Sequence, residues 1–442
     1  MTRTPSDTAA RSLLGAVARD EPGALDRLSA ALREAGGPLL APLEGGGWAV
    51  TFVHLGPAAH VEVSSQLTMD AEGRPASMER IARTDIWQLT VPVTDDRLSV
   101  VYSYSVDNPY ATKSLSEVME LMQAGAYEDV MDAHLRAARP DPFNPDLIVS
   151  AHASLTPGAE RTHDSVLTLP GADSEIWFGP GAGPRAERGT ITEHRVPSAV
   201  FGDEREVAVQ LPAGYREGGG YPLLFLLDGE YHLDHYPEIV DNLIAAEAVP
   251  PTVVAYVRNK DAMSRMVEMC CNPDLVQQYA DELLPWLRAE FGAGTDPATT
   301  VVSGASYGGL ASAWLAYRRP ELFGGVLSLS ASYWWGLKDQ FGGAQGPYAM
   351  GRDGEPEWLT RRIATDPDGP SPLSPTRFWI AAGTLETQPL PGGITLLSAN
   401  RHARDVITAK GYDVRYDEFP GAHEQAGWRR TFAQGLRYLL GG

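Results

Sequence analysis

The sequence predicts an α/β protein: a C-terminal domain with a mostly parallel sheet and helices on both faces, preceded by a smaller β-sandwich-like domain with added helices. Three observations predict it. The chain has 442 residues, more than one ordinary domain holds. Up to about residue 110, after an opening helical stretch, short β-rich runs alternate with turns, as in an antiparallel sandwich. Beyond the Gly/Pro tract "GPGAGPRAERG" at 179–189, strands alternate with helices and are nearly continuous in apolar residues, as strands covered on both faces are.

Taken in order, residues 7–35 place Leu13, Leu14, Val17, Leu25, Leu28 and Leu32 at helical spacing, which makes residues 1–45 a helical extension. "GGWAVTFVHL", "AHVEVSSQL", "DIWQLTVPV" and "LSVVYSYS" read as strands, and 114–137 as a helix stopped by the prolines of "RPDPFNPD". These form a β-rich domain over 46–180. The third segment, 181–442, carries strands at "REVAVQL", "YPLLFLLDGE", "PTVVAYV", "TTVVSGAS", "GVLSLSASYWW", "RFWIAAGTLE" and "DVRYDEF". Helices are expected from Pro273 to Phe291, after Ser306, at "SANRHARDVITAKG" and at "RRTFAQGLRYLL".

Composition excludes some functions. Apolar residues make up 43% and charged ones 21%, ample for packed cores. A net charge of −21 argues against a nucleic-acid partner, because phosphate backbones require Lys/Arg-rich surfaces. The two cysteines, Cys270 and Cys271, are adjacent, so a disulfide between them would be strained and no zinc spacing exists. With no apolar stretch suited to a signal or a membrane helix, a cytoplasmic protein is expected, with no membrane partner.

One stretch carries chemistry. "VVSGASYGGLASAWLAYRRPELF" places Ser306 between Gly304 and Gly308, where an apolar strand meets a helix. In a G-x-S-x-G turn the serine hydroxyl stands above the sheet, and the glycines let strand and helix approach closely. The pentapeptide alone arises by chance in roughly one such chain in four; its strand-to-helix setting gives it weight. The bland alternative is a Gly-rich turn that happens to contain serine.

A serine nucleophile needs a base. On an α/β-hydrolase sheet the order is Ser, acid, His, on successive post-strand loops. Downstream of Ser306 only His402 and His423 remain. His402 sits mid-helix among polar neighbours, whereas His423 follows the last apolar strand in "FPGAHEQAGW". Glu386, in the loop "TLETQPLPGG" after "RFWIAAG", is the acid expected to orient the imidazole; a surface glutamate is the alternative. Asp353, Asp366 and Asp368 are rivals before that strand, and Asp417 lies inside the last one. The backbone N–H of Tyr307 is one expected oxyanion donor, with a second from Gly229 or Glu230 in "LLDGEYH".

These residues resemble the enterochelin (enterobactin) esterases among the esterase-D-like α/β-hydrolases. The stretches that carry it are "LLFLLDGEYH", "SRMVEMCCNPDLVQQYADELLPWL", "VVSGASYGGLASAWLAYRRPELFGGVLSLSASYWW" and "FPGAHEQAGWRRTFAQGL", and toward the N-terminus "SMERIARTDIWQLTVPV" and "PDPFNP". The resemblance implies a two-domain cytoplasmic esterase that opens the trilactone of a catecholate siderophore, often loaded with Fe(III). It assigns Ser306 as nucleophile, His423 as base and Glu386 as acid. No cofactor or catalytic metal is implied; iron would arrive with the substrate. Arg265 and Glu268 match an element near the family's pocket, where a cation would suit an anionic complex; a helix-start salt bridge between them is the alternative. Tyr333, Trp334 and Trp335 are candidates to line an aromatic pocket, or else core. The chain departs from the family in its N-terminal helices, in Ala305, and in the tract "WGLKDQFGGAQGPYAMGRDGEPEW". Two rival functions are a biosynthetic esterase or acyltransferase with the same triad, and a non-catalytic siderophore- or glycan-binding protein.

Overall fold

The computed structural model describes residues 5–150, 161–173, 177–179, 182, 187–336, 356–367, 376–390 and 393–441. Asp353, Asp368, most of the tract after Trp335 and most of 179–189 lie outside them. The chain divides into two compact units: Met1–Ala153, Gly158–Asp173 and Pro420–Ala426 in the first, Ser154–Pro157, Ser174–Phe419 and Gly427–Gly442 in the second.

In the first unit, strands β1 (Leu39–Pro42), β2 (Trp48–Leu55), β5 (Glu79–Arg80) and β6 (Ile86–Val93) form one antiparallel sheet, ordered β1-β2-β6-β5. The second sheet holds β3 (Val61–Ser64), β4 (Ala76–Ser77), β7 (Ser99–Val106), β8 (Ala138–Arg139), β9 (Leu147–Val149) and β10 (His163–Thr168), ordered β4-β3-β7-β10-β9 with β8 also on β7. Phe52 meets Tyr102 edge-on at 5.1 Å, and the Tyr104 hydroxyl donates to the Val53 carbonyl across the two sheets. The helices Pro5–Ala18 and Ala24–Ala35 bury Leu14, Val17, Leu28 and Leu32 against Leu39, Val53 and Ile86. Residues read from sequence as an extension thus supply core to this unit, and β1 is its edge strand. The helix expected at 114–137 is interrupted at Gly125, whose φ of 99° leaves helical geometry.

The stretch "PDPFNP" forms a buried polar knot. Asp141 accepts from the hydroxyls of Tyr102 (2.8 Å) and Tyr104 (3.2 Å) and from the Phe143 N–H. Asn144 donates to the Val166 carbonyl. Burial raises the Asp141 carboxyl above its ordinary value, against the pull of these hydrogen bonds. Both carboxylate oxygens thus have a donor, as a buried polar group in an apolar interior requires.

The second unit is built on one eight-stranded sheet. Its strands are β11 (Thr190–Ser198), β12 (Asp203–Leu211), β13 (Leu223–Leu227), β14 (Val253–Val257), β15 (Thr300–Ala305), β16 (Gly325–Leu329), β17 (Arg377–Gly383) and β18 (Asp413–Phe419). The order is β11-β12-β14-β13-β15-β16-β17-β18; β11, β12 and β14 pair antiparallel, and the pairings from β14–β13 onward are parallel. "LLFLL" shows why such strands lack alternation. Leu223, Phe225 and Leu227 enter one core with helices Tyr307–Arg318 and Leu396–Ala409, while Leu224 and Leu226 enter the other with Tyr236–Ala245 and Gln425–Leu440. Both faces are covered, so every position is apolar. The helix expected over 273–291 widens into a π-turn at Gln278–Leu283, just before Pro285, whose ring offers no N–H to the carbonyl a turn earlier.

The approach of strand β15 to the following helix can be tested at Gly304. A Cβ there would lie 2.5 Å from the Gly308 backbone, whereas one at Gly45 meets nothing within 4 Å. Gly304→Ala is expected to lower the unfolding free energy in urea by about 1–3 kcal/mol, with Gly45→Ala within about 0.5 kcal/mol of wild type. Equal midpoints for the two variants would show that the contact is not tight.

Candidate active site

From Thr300 to Ala316 every residue is buried except Ser306. Ser306 stands at the junction of β15 and the helix Tyr307–Arg318 with φ 59° and ψ −120°, a conformation that non-glycine residues seldom adopt and that tends to mark functional sites. The backbone holds it there: its N–H donates to Leu329 O at 2.9 Å, and its carbonyl accepts from Leu310 N and Ser332 N. Gly308 is required because a Cβ would sit 2.9 Å from the Asp228 carboxylate, and Gly309 because one would sit 2.9 Å from the Ala331 Cβ. Tyr307 opens the helix, so its N–H has no intrahelical acceptor.

Asp228 and Ser330 share this trait. Asp228, Ser306 and Ser330 are the first residues after the neighbouring strands β13, β15 and β16, and all three have positive φ (58°, 59° and 43°). Three adjacent strands therefore end in tight turns at one edge of the sheet.

Behind Gly229 lies a charged cluster. Arg265, on the helix Ala262–Met269, grips Asp228 with two donors, Nε to Oδ1 at 2.6 Å and Nη2 to Oδ2 at 2.7 Å. The same guanidinium lies 5.6 Å from the Tyr307 ring centre. Asn259 donates to Asp228 Oδ1 and Glu230 Oε1, both at 2.7 Å, and its N–H to Glu230 Oε2 at 3.1 Å. Burial pushes the Asp228 carboxyl up, but the Arg265 charge and hydrogen bonds hold it below its ordinary value. Burial, then the charge of Asp228, raises Glu230 to about 7 against the hydrogen bonds from Asn259. His232, stacked 4.4 Å from Tyr236, is pushed down to about 4 by burial.

Of the residues singled out from sequence, Ser306, Tyr307, Gly229, Glu230 and Arg265 fall in this neighbourhood. Arg265 and Glu268 do not pair with each other. Arg265 takes Asp228, and Glu268 is bound twice by Arg205, at 2.9 Å each. Three residues apart on one helix, they serve different partners. Tyr333 is fully buried, its hydroxyl 3.2 Å from Ser328 Oγ, and Trp334 and Trp335 are buried in the same core cluster. Glu386 is buried just beyond β17, its N–H on Gly383 O and its carbonyl accepting from Leu397 N. His423 follows β18, in the segment 420–426 that packs with the first unit. There its N–H donates to Gln66 Oε1 at 2.7 Å, and the neighbouring Glu424 accepts from Val101 N.

The rivals are engaged elsewhere. Asp366 accepts from the Tyr317 hydroxyl, Asp417 from Thr431 at 2.9 Å, and exposed His402 contacts Glu357. Cys270 and Cys271 are buried and unbridged. Among the described residues no helix is long and apolar enough to cross a membrane. Sequence reading missed Asp228, Asn259 and Ser332. For Asp228 the signal was present, an acid directly before Gly229; Ser332 is one of three serines in "SLSAS" that the sequence does not tell apart.

Comparison with known proteins decides the family. The model for putative esterases matches residues 198–439, and that for the enterochelin esterase N-terminal domain matches 49–178. The chain belongs to the enterochelin esterase family. It is an ester hydrolase. Relatives include an iron(III) enterobactin esterase of Dickeya dadantii, 25% identical over 83% of this chain and 80% of its own. An iron(III) salmochelin esterase of Escherichia coli is 27% identical over 82% and 80%. The crystal structure of a ferric enterobactin esterase from Salmonella typhimurium shares the fold, with a TM-score of 0.71 and 24% identity over 93% and 98% of the two chains.

In this esterase Glu230 binds its proton more tightly folded than unfolded, because its folded pKa of about 7 exceeds the ordinary 4.5. Its contribution to stability is therefore present at low pH and is lost as pH rises through that window. Glu230→Gln is expected to be stabilised relative to wild type progressively from about pH 5 to pH 8 in chemical denaturation. A wild-type-minus-variant difference that stays flat across this range would mean that Glu230 titrates normally.

Proposed function

We propose that the chain is a serine esterase that hydrolyses the ester bonds of a siderophore-type oligo-ester of a hydroxy amino acid, a catecholate trilactone of the enterobactin kind. The observation that carries this reading is Ser306, the one residue between Thr300 and Ala316 that is not buried, in a chain matched by the family models for putative esterases and for the enterochelin esterase N-terminal domain. The names of its relatives, enterobactin and salmochelin esterases, supply the substrate class.

In this reading Ser306 Oγ attacks the ester carbonyl while His423 takes its proton, and Glu386 holds the imidazole in the right tautomer and balances its charge. The carbonyl oxygen takes up negative charge against the N–H of Tyr307 and one from Gly229 or Glu230. Collapse expels the alkoxide, which regains a proton from His423, and water then cleaves the acyl-enzyme by the same sequence. Iron, where present, belongs to the substrate. Arg265 acts here as the counter-charge to Asp228: the Nε/Nη2 edge of its guanidinium is occupied by that carboxylate, so much of its charge is balanced within the protein.

The reading is tested by incubating wild type and Ser306→Ala with apo and ferric enterobactin-type trilactone and following products by mass spectrometry. Stepwise trimer, dimer and monomer are expected from wild type, with turnover by the variant lower by at least about 1,000-fold. Intact trilactone alongside cleavage of a p-nitrophenyl ester would remove the siderophore substrate and favour the biosynthetic alternative. Activity retained in Ser306→Ala would remove the nucleophile.

A further inference from the structure

A second hydroxyl touches the proposed nucleophile. Ser332 Oγ lies 3.3 Å from Ser306 Oγ, and Ser332 is only 1% exposed. Its position is tightly set. The Ser332 N–H donates to the Ser306 carbonyl at 2.9 Å, and its own carbonyl accepts from Trp335 N at 3.0 Å. The peptide before it is clamped from both sides by fully buried Asn400, which accepts from Ala331 N at 3.2 Å and donates to Ala331 O at 2.8 Å. One residue earlier, Ser330 Oγ accepts from the Trp428 indole at 2.8 Å, and Ser330 N donates to Ala381 O. Core packing needs only a small residue at 332. It does not explain a hydroxyl held 3.3 Å from the side-chain oxygen of the one residue in 300–316 that is not buried.

We propose that Ser332 is a further catalytic residue, whose hydroxyl donates a hydrogen bond to Ser306 Oγ. The proposal rests on Ser306 being the nucleophile. At 3.3 Å the contact is long for an O–H···O bond, as resting catalytic contacts often are. It strengthens as charge develops on the oxygen. During attack the Oγ–H bond breaks toward His423 while the Oγ–C bond forms, and a neighbouring donor fixes the direction of the remaining lone pair. During deacylation the Oγ–C bond breaks, its electron pair returns to Oγ, and the proton comes back from His423. The Ser332 hydroxyl then stabilises the departing oxygen. Both half-reactions use the contact, and deacylation depends on it more, because there Oγ is the leaving group.

The test uses Ser332→Ala and Ser332→Thr in the full chain, with a p-nitrophenyl ester in rapid mixing and fluorophosphonate labelling of Ser306. The burst amplitude counts competent sites, so loss of folded protein is separated from loss of rate. For the alanine variant kcat per site is expected to fall about 10- to 100-fold with KM changed less than about threefold, the loss being greater in deacylation than in the burst rate. The threonine variant, which keeps a hydroxyl, is expected to regain most of it. An alanine variant with both rates within about twofold of wild type per site overturns the proposal while leaving Ser306 in place. Wild type that shows neither burst nor labelling at Ser306 overturns the nucleophile reading, and with it any catalytic role for Ser332.

Discussion

The ion pair between Asp228 and Arg265 is the constraint on which the site depends. A buried carboxylate beside a mostly buried guanidinium gains little net stability, since both ions give up water, but removing either leaves an unpaired charge. That makes the pair intolerant of any geometry but one. Here the geometry is two hydrogen bonds of 2.6 and 2.7 Å, and it fixes Asp228 in a left-handed turn at the end of β13. Gly229 and Glu230, one of whose amides the oxyanion site would use, follow directly. On its other side the Asp228 carboxylate closes against Gly308, two positions beyond the serine. One ion pair thus holds the two loops at a fixed separation, and Arg265 covers the Tyr307 ring as well.

A second fastening comes from uncharged groups. Asn400 satisfies both backbone groups of Ala331, and the helix that bears it, Leu396–Ala409, donates Leu397 N to the Glu386 carbonyl. The loop after β16 and the loop after β17 are therefore indexed to the same helix. A fully hydrogen-bonded buried amide is rigid because every alternative leaves a polar group unpaired. This suits a site whose parts come from separate strands and must agree to fractions of an ångström.

Much of this was legible in the sequence for definite reasons. Strands β13 and β14 read "LLFLL" and "VVAYV", apolar at every position, as strands of a sheet covered on both faces are. Ser306 was legible because its glycines answer to one steric demand, close approach of strand and helix. Side-chain partnership was not legible. Arg265 and Glu268 share a helical spacing that suits a local ion pair, yet each finds a stronger, bidentate partner far away in sequence. The aromatic run Tyr333, Trp334 and Trp335 has the composition of a ligand wall, and the sequence did not show that all three are buried in the core cluster. Hydrophobic periodicity reports which face an element buries; it carries no information on which of several buried polar groups will meet. Ser332 is the clearest instance, since nothing in "SLSAS" distinguishes the serine beside the elbow from its neighbours.

The same logic explains how the strained serine persists. A residue at φ 59° and ψ −120° costs on the order of 1–3 kcal/mol and survives only where its surroundings over-determine it. Here the N–H of Ser306 is bound to Leu329 O, and its carbonyl takes both Leu310 N and Ser332 N. Relaxing the turn would break three backbone hydrogen bonds in a buried setting, which together outweigh the strain. The N–H and carbonyl of Ser306 are therefore committed to the protein. Its side-chain oxygen, on the one residue between Thr300 and Ala316 that is not buried, remains to meet a substrate beside the Tyr307 N–H.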